Sequence, residues 1–263
     1  MSTDLLYAVQ DGIATFTFNR PQRLNAITFE IYADLRDRLA ALQRDDAVKA
    51  VVITGAGKGF CSGGDVHDII GELLTRDAAA RLEFTRMTVA CVRHMAAMEK
   101  PIIAAVNGMA AGAGAVIALA SDLRIASPDA RFAFLFTKVG LSGADMGAAY
   151  LLPKVVGLGR AMELLLFGDT IDAATAERYG LVNAVVPAEQ LLSTAREWAL
   201  RLARGPSLAL GLTKRMVHHE MAMDLERALE AEAHAQAILL GGEDHRIFYE
   251  AFKKKEEPRF IGR

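Results

Sequence analysis

Two rhythms of apolar residues run along the chain. Short apolar runs at Leu6–Gln10, Ile13–Asn19, Ala50–Thr54 and Leu123–Ala126 predict strands, with Asp11-Gly12 as a hairpin turn between the first two. Elsewhere apolar residues recur at helical spacing. Ile31, Leu35, Leu39 and Leu42 mark a helix with Thr28 as its N-cap. Asp77–Met98 is a long amphipathic helix, and Ala161–Leu166, Ala173–Tyr179 and Leu191–Ala203 are helical. Pro206–Phe252 is helical and more charged, and AFKKKEEPRFIGR forms a polar tail. Strands that alternate with helices predict an α/β architecture with a helical C-terminal part. By eye there is no fixed-period repeat and no low-complexity linker.

The most unusual stretch is KPIIAAVNGMAAGAGAVIALASD, Lys100 to Asp122, with no ionisable side chain between its ends. Ile102, Ile103 and Val106 predict a buried strand, Asn107-Gly108 a turn, and Ala110 to Ala120 a helix whose first turn is Ala and Gly only. Small residues at a helix start let a backbone or a ligand come close, and they leave the first amides uncapped and free for an anion. A tightly packed Ala/Gly core helix accounts for the same residues.

Composition narrows the classes. With 263 residues, the chain suits one large domain or one domain with a terminal extension. It is 52% hydrophobic and 24% charged, ordinary for a globular protein with a core, and a net charge of −2 gives no reason to expect a nucleic-acid surface. Cys61 and Cys91 form no CxxC pair or disulfide framework, which fits a reduced, cytoplasmic setting. MSTDLLYAVQDG has no basic region followed by an apolar run, so no secretory signal is expected. Pro101–Ala120 has the length of a membrane span, but it is rich in Ala and Gly and broken by Asn107-Gly108, so no membrane partner is expected.

Several motifs fail. Gly112-Ala113-Gly114 lacks the third glycine of a dinucleotide fingerprint, because Ile117 stands there. Gly55-Ala56-Gly57-Lys58 is no phosphate loop, and Gly140-Leu141-Ser142-Gly143-Ala144 misses the last glycine of a nucleophile elbow. The six histidines show neither HExxH nor cysteine partners, so no metal is expected, and His218-His219 fits a solvated helix face.

Two glycine-rich loops remain, Phe60-Cys61-Ser62-Gly63-Gly64-Asp65 and Gly108–Gly114, each after an apolar strand and each opening a helix. One backbone amide from each could hold a carbonyl oxygen that gains charge during reaction, as an oxyanion hole does. These loops and their flanks resemble the crotonase family, the enoyl-CoA hydratase/isomerase superfamily. The matching pieces are FTFNRPQRLNAIT, KAVVITGAGKGFCSGGDV, KPIIAAVNGMAAGAGAVIALASDLRIAS, GRAMELLLFGD, ERYGLVNAVVP and FKKKEEPRF, in the family's order over nearly the whole chain.

The resemblance implies a crotonase-like α/β spiral of repeated strand-strand-helix turns, an acyl-CoA-binding core over 1–203 and a helical trimerisation region over 204–263. It implies a homotrimer or dimer of trimers. It implies an acyl-CoA thioester substrate and no cofactor beyond the coenzyme A that the substrate carries. The oxyanion donors carry over to the amides of Gly64 and Ala113. CoA and acyl contacts carry over to Arg23, Leu24, Ala26, Gly63, Asp65, Val66, Gly114, Phe136 and Lys255. For Arg23 and Lys255 a solvated surface charge is the other account.

Departures from the family pattern bear on the reaction. Typical hydratases of the family use two glutamates, and an ungapped alignment puts Val116 and Phe136 at those positions. A standard two-glutamate hydratase is therefore not expected. Asp145, in GLSGADMGAAYLLP, stands where some family isomerases carry a proton-shuttling aspartate, although one extra residue separates it from Gly140. Its other account is a cap for a helix beginning at Met146. Double-bond isomerisation through a thioester enolate, with Asp145 as the proton carrier, is the expected activity. A hydratase or lyase using His67, Asp68 or Tyr150, and a silent acyl-CoA-binding subunit, are the alternatives.

Overall fold

The computed structural model describes residues 3–263; Met1 and Ser2, part of the stretch read for a leader, lie outside them. Asp11 and Gly12 have φ of 53° and 74°, the positive pair that a tight hairpin turn needs. They join β1 (Leu5–Gln10) to β2 (Ile13–Phe18), antiparallel, with Gln10 opposite Ile13. Beyond β2 the sheet is parallel: β3 (Ala50–Gly55), β5 (Ile102–Val106), β7 (Leu123–Ala126) and β10 (Ala184–Val185) follow side by side. A second sheet lies in the order β4 (Gly59–Cys61), β6 (Met109–Ala111), β8 (Arg131–Ala133) and β9 (Thr170–Asp172).

The chain thus winds in turns that place one strand in each sheet and then leave through helix: β3-β4, β5-β6 and β7-β8. This is the spiral of strand-strand-helix turns that the sequence leads one to expect. No period shows in the sequence because the helical excursions differ so much in length. The excursion after β4 holds a π-helical turn (Val66–Gly71), α2 (Glu72–Thr75) and the 20-residue α3 (Ala78–Ala97). The excursion after β6 holds only α4 (Ala113–Ala120).

Why the strands read as unbroken apolar runs is now plain: both faces of the parallel sheet are covered. Val51, Ile53, Ile102, Ala104 and Val106 point into the main core with α1 (Phe29–Leu42), α3 and α4. Their neighbours Ala50, Val52, Ile103 and Ala105 point the other way, onto Leu191, Ala195 and Ala199 of α8 (Leu191–Ala203). Ile31, Leu35, Leu39 and Leu42 are all buried, and the Thr28 hydroxyl accepts the Ile31 amide at 3.4 Å as the expected N-cap.

One boundary differs from expectation. The helix read as starting at Ala110 starts at Ala113. Met109–Ala111 is a strand instead, because β4 and β8 offer it hydrogen-bond partners on both sides that no local pattern reveals. After β8 the chain makes a 3-10 turn (Leu135–Val139), then α5 (Ala148–Val156), α6 (Leu158–Phe167) and α7 (Ala173–Arg178). It finishes with α9 (Ser207–Glu220), α10 (Leu225–Leu240) and α11 (Glu243–Lys254). Lys214 of α9 ties this last part to the spiral. Its ammonium meets Asp122 at 2.8 Å and the carbonyls of Met95 and Lys100. His218 is half-buried beside the same Asp122, at 3.8 Å, rather than on a solvated face. Among the described residues no helix is long and apolar enough to cross a membrane.

Candidate active site

The two glycine-rich loops meet. A Cβ on Gly63 would stand 3.0 Å from the Ala111 oxygen and 3.7 Å from the Ala113 nitrogen. A Cβ on Gly114 would stand 2.1 Å from the Cys61 oxygen, far inside any allowed contact. Side chains are absent here because the backbones occupy the space. Gly63 (φ 98°) and Gly112 (φ 51°) also hold a backbone conformation that other residues avoid, and each sits immediately before a candidate donor.

Pairing geometry explains why those donors are open. Ile27 donates to the Gly63 oxygen at 2.8 Å and accepts the Asp65 amide at 2.9 Å, a parallel bridge that brackets Gly64. In parallel pairing the bracketed residue turns its own amide away from that partner. The Gly64 N–H therefore faces away from Ile27, and no acceptor holds it among the described residues. Ala113 is the first residue of α4, where an amide has no intrahelical acceptor. The first bond of that helix runs from Val116 to the Gly112 oxygen, and Gly112 is itself fixed by donating to Ala133 at 2.9 Å. Two main-chain donors, held by their neighbours and unused themselves, suit a carbonyl oxygen gaining negative charge.

Side chains outside the site set this backbone. The Asn25 amide donates to the Gly59 oxygen at 2.6 Å and to the Ala56 oxygen at 2.9 Å, and Asn107 donates to Gly59 at 3.1 Å and Gly57 at 2.9 Å. Arg20 donates to the Asp65 carboxylate at 2.9 Å and to the Ala26 oxygen at 2.8 Å. The other Asp65 oxygen accepts the amides of His67 and Asp68 and caps the π-helical turn. Burial pushes the Asp65 carboxyl up, but those two amides and the Arg20 guanidinium outweigh it and hold the group below its usual range. Arg20, Asn25 and Asn107 were not singled out from sequence, although all three lie within the pieces that carry the resemblance.

The remaining candidates divide. Gly63, Gly64, Ala113, Gly114 and Phe136 come together, the Phe136 ring standing 4.0 Å from where a Gly112 Cβ would lie. Leu24 and Ala26 lie on the adjoining wall, where the Leu24 oxygen accepts the Ser62 amide at 3.0 Å. Arg23 and Val66 are exposed nearby in sequence to these contacts. The Asp65 side chain is engaged by Arg20 and the turn, so only its backbone borders the loop. Lys255 ends α11 with φ 58°, exposed, and nothing joins it to the loops among the described residues. Val116 is wholly buried and Phe136 is 6% exposed; neither can carry a proton.

Among the acids, Asp145 stands apart. Its Oδ1 accepts the Met146 amide at 2.9 Å, while Oδ2 has no partner among the described residues. Burial raises its carboxyl above the usual carboxylate range, against a smaller lowering by the Met146 amide. It is no N-cap for the next helix: α5 begins at Ala148, with Gly147 as its N-cap. Asp145 lies close enough to Tyr32 for their charges to interact, and so does Cys61 of the first glycine-rich loop. The alternatives are more open to solvent. His67 and Asp68 are exposed, Asp68 facing Arg20 at 3.5 Å, and Tyr150 is 58% exposed with Lys154 over its ring. The Cys61 and Cys91 thiols are both buried, and desolvation pushes each up to about 12, so neither is a nucleophile at neutral pH.

Comparison with known proteins gives the family and the fold. The family model described as enoyl-CoA hydratase/isomerase matches residues 8–263. The 1,2-epoxyphenylacetyl-CoA isomerase of Escherichia coli (strain K12) is 38% identical over 259 residues, 98% of this chain and 98% of its own length. The crotonyl-CoA hydratase of Syntrophomonas wolfei is 34% identical over 261 residues, 99% of this chain and 98% of its own length. A solved structure from Streptomyces coelicolor A3(2), carrying a provisional enoyl-CoA hydratase name, superposes with a TM-score of 0.97 at 53% identity, covering 99% of this chain and 94% of that one.

Proposed function

The chain belongs to the enoyl-CoA hydratase/isomerase family, and on that premise we propose that it shifts a carbon–carbon double bond in an acyl-CoA thioester. The observation that carries this is Asp145: a desolvated carboxyl with one free oxygen, in charge range of Tyr32, as is Cys61 of the first glycine-rich loop. In a 3-enoyl-CoA, the Asp145 carboxylate takes a proton from C2. The electron pair moves into the thioester, whose oxygen gains charge between the amides of Gly64 and Ala113. The carboxylic acid then returns the proton to C4, leaving a 2-enoyl-CoA. No water is added, so one carboxyl suffices. A raised carboxyl is a stronger base when ionised and keeps its proton available for the return.

Two glutamates that activate water, as hydratases of the family use, have no counterpart in Val116 and Phe136. The relatives named as hydratases favour a second reading, hydration through a different acid or base. Arg23, Leu24, Ala26, Val66 and Lys255 are assigned to the CoA portion, where cations suit phosphates. Residues 204–263 are assigned to a trimer or dimer of trimers, and the chain to the cytoplasm.

The test runs 3-enoyl-CoA isomerisation and 2-enoyl-CoA hydration in parallel on the wild type. We expect isomerisation, with hydration slower by about 10²-fold or more, since each acid–base group contributes roughly 10²–10⁴. Hydration at the faster rate overturns the proposal in favour of the second reading.

A further inference from the structure

Tyr32 is an anomaly in the core. It belongs to the helix face that carries Leu35 and Leu39, it is 3% exposed, and its ring meets Phe84 edge-on at 5.8 Å. Its hydroxyl makes no hydrogen bond among the described residues, and it is not one of the sealed polar atoms there, so it keeps a little contact with open space. Once an acyl group expels water from that space the hydroxyl is sealed, and a sealed hydroxyl without a partner is costly, so it is expected to meet one in the working state.

The surroundings identify that partner. Cys91 of α3 contacts the Tyr32 carbonyl at 3.6 Å, and its neighbour Val92 comes within 3.8 Å of where a Cβ on Gly147, two residues after Asp145, would lie. The Asp145 segment and Tyr32 thus pack on the same stretch of α3. The titratable groups facing this space are Tyr32 from α1, Cys61 from β4, Cys91 from α3 and Asp145 itself. The thiols stay neutral, Arg36 and Asp37 act on Cys91 with opposite signs, and no cation contributes to the shift of Asp145. Asp145 Oδ2 is an acceptor without a donor, and the Tyr32 hydroxyl is a donor without an acceptor.

Resting on the role proposed for Asp145, we propose that Tyr32 is its positioning residue. When an acyl group fills the site and expels water, the Tyr32 hydroxyl donates to the free Asp145 oxygen and fixes the carboxylate over the acyl carbons. A carboxylate oxygen has two lone pairs, so one still faces the substrate. With Oδ1 held by the Met146 amide and Oδ2 by Tyr32, the carboxylate has one orientation. The bond also stabilises the ionised form, offsetting part of the effect of burial.

The test compares Tyr32→Phe and Asp145→Asn with the wild type. Phenylalanine keeps the ring against Phe84 and removes only the hydroxyl. We expect Tyr32→Phe to bind a saturated acyl-CoA within a few-fold of wild type and to lose roughly 10- to 100-fold in kcat, the range for a hydrogen bond to a charged group. The acid limb of its kcat/KM profile should move up by about one pH unit, because the ionised carboxylate has lost a donor. Unchanged kcat and an unmoved limb, with Asp145→Asn inactive, overturn the proposal for Tyr32 and leave the proton shuttle intact. Full turnover by Asp145→Asn instead removes the functional reading, and Tyr32 falls with it. A Tyr32→Phe protein that melts early or fails to bind the saturated acyl-CoA marks Tyr32 as a packing residue and also overturns the proposal.

Discussion

The two halves of the candidate site are built in opposite ways. The donor half is main chain: Gly64 and Ala113 offer amides whose positions are set by Ile27, Asn25, Asn107, Gly112 and the Arg20–Asp65 pair. The acid half is one side chain, Asp145, on a segment held by few bonds, between the exposed Ala144 and Gly147. Amides present the same chemistry whatever side chain they carry, so the donor half can serve any reaction that places charge on a thioester oxygen. The acid half decides which bond is made or broken. Membership of a family therefore follows from the first half, and the particular reaction from the second.

The sharpest break of this contrast removes one main-chain donor. Gly64 has room for a Cβ, which would come no nearer than 3.8 Å to Ile69, and its φ is not positive. Gly64→Pro should cut kcat by roughly 10²–10³-fold, the loss for one oxyanion donor, while acyl-CoA still binds. Circular dichroism must show the fold retained. A well-folded variant with normal turnover would mean that the amide of Gly64 is a bystander.

A smaller effect tests what holds the donor half in place. Arg20 and Asp65 have side chains 12% and 6% exposed, and Asp65 also receives two amides. Arg20→Ala leaves a buried carboxylate with those amides alone. We expect a loss of about 2 kcal/mol, as for hydrogen bonds to charged groups, seen as a lower urea midpoint with an unchanged slope. The Asp65 carboxyl is held low in the folded protein, so its contribution is present above the ordinary carboxylate value and is lost as pH falls through the lowered one. The midpoints of wild type and variant should therefore converge in acid. Equal midpoints at pH 7 would show that the pair is dispensable.

Much of the donor half was legible because tight backbone geometry leaves a mark in composition: a Cβ at Gly114 would meet the facing backbone, one at Gly63 would crowd it, and Gly63 and Gly112 hold positive φ. Asp145 was legible as the lone acid of an uncharged run. Other features have no local signature. β6 exists because β4 and β8 flank it, and Met-Ala-Ala by itself reads equally well as helix. The Arg20–Asp65 pair joins residues 45 apart. Tyr32 sits where a helical apolar stripe wants bulk, so its phenol reads as core until the missing partner of its hydroxyl is seen. The spiral itself was hidden because its turns are closed by helices of unlike length, and it entered the sequence reading only through resemblance.

The last test asks whether the acid half is tuned for chemistry at some expense to stability. Burial holds the Asp145 carboxyl above its ordinary value in the folded protein. Between the ordinary value, about 3.9, and the raised one, the folded state binds more protons than the unfolded state. Stability therefore falls as pH rises through that window, and the deficit stays in full above it. Asparagine is neutral at every pH and keeps the size of the side chain, so it carries no such deficit. Asp145→Asn should melt at a higher temperature than wild type at pH 7, by a small margin that shrinks towards pH 4. A structural acid gives the reverse sign: removing its charge would lower the melting temperature at pH 7. In that case the Met146 amide bond is what Asp145 is for, and the proton carrier has to be sought among His67, Asp68 and Tyr150.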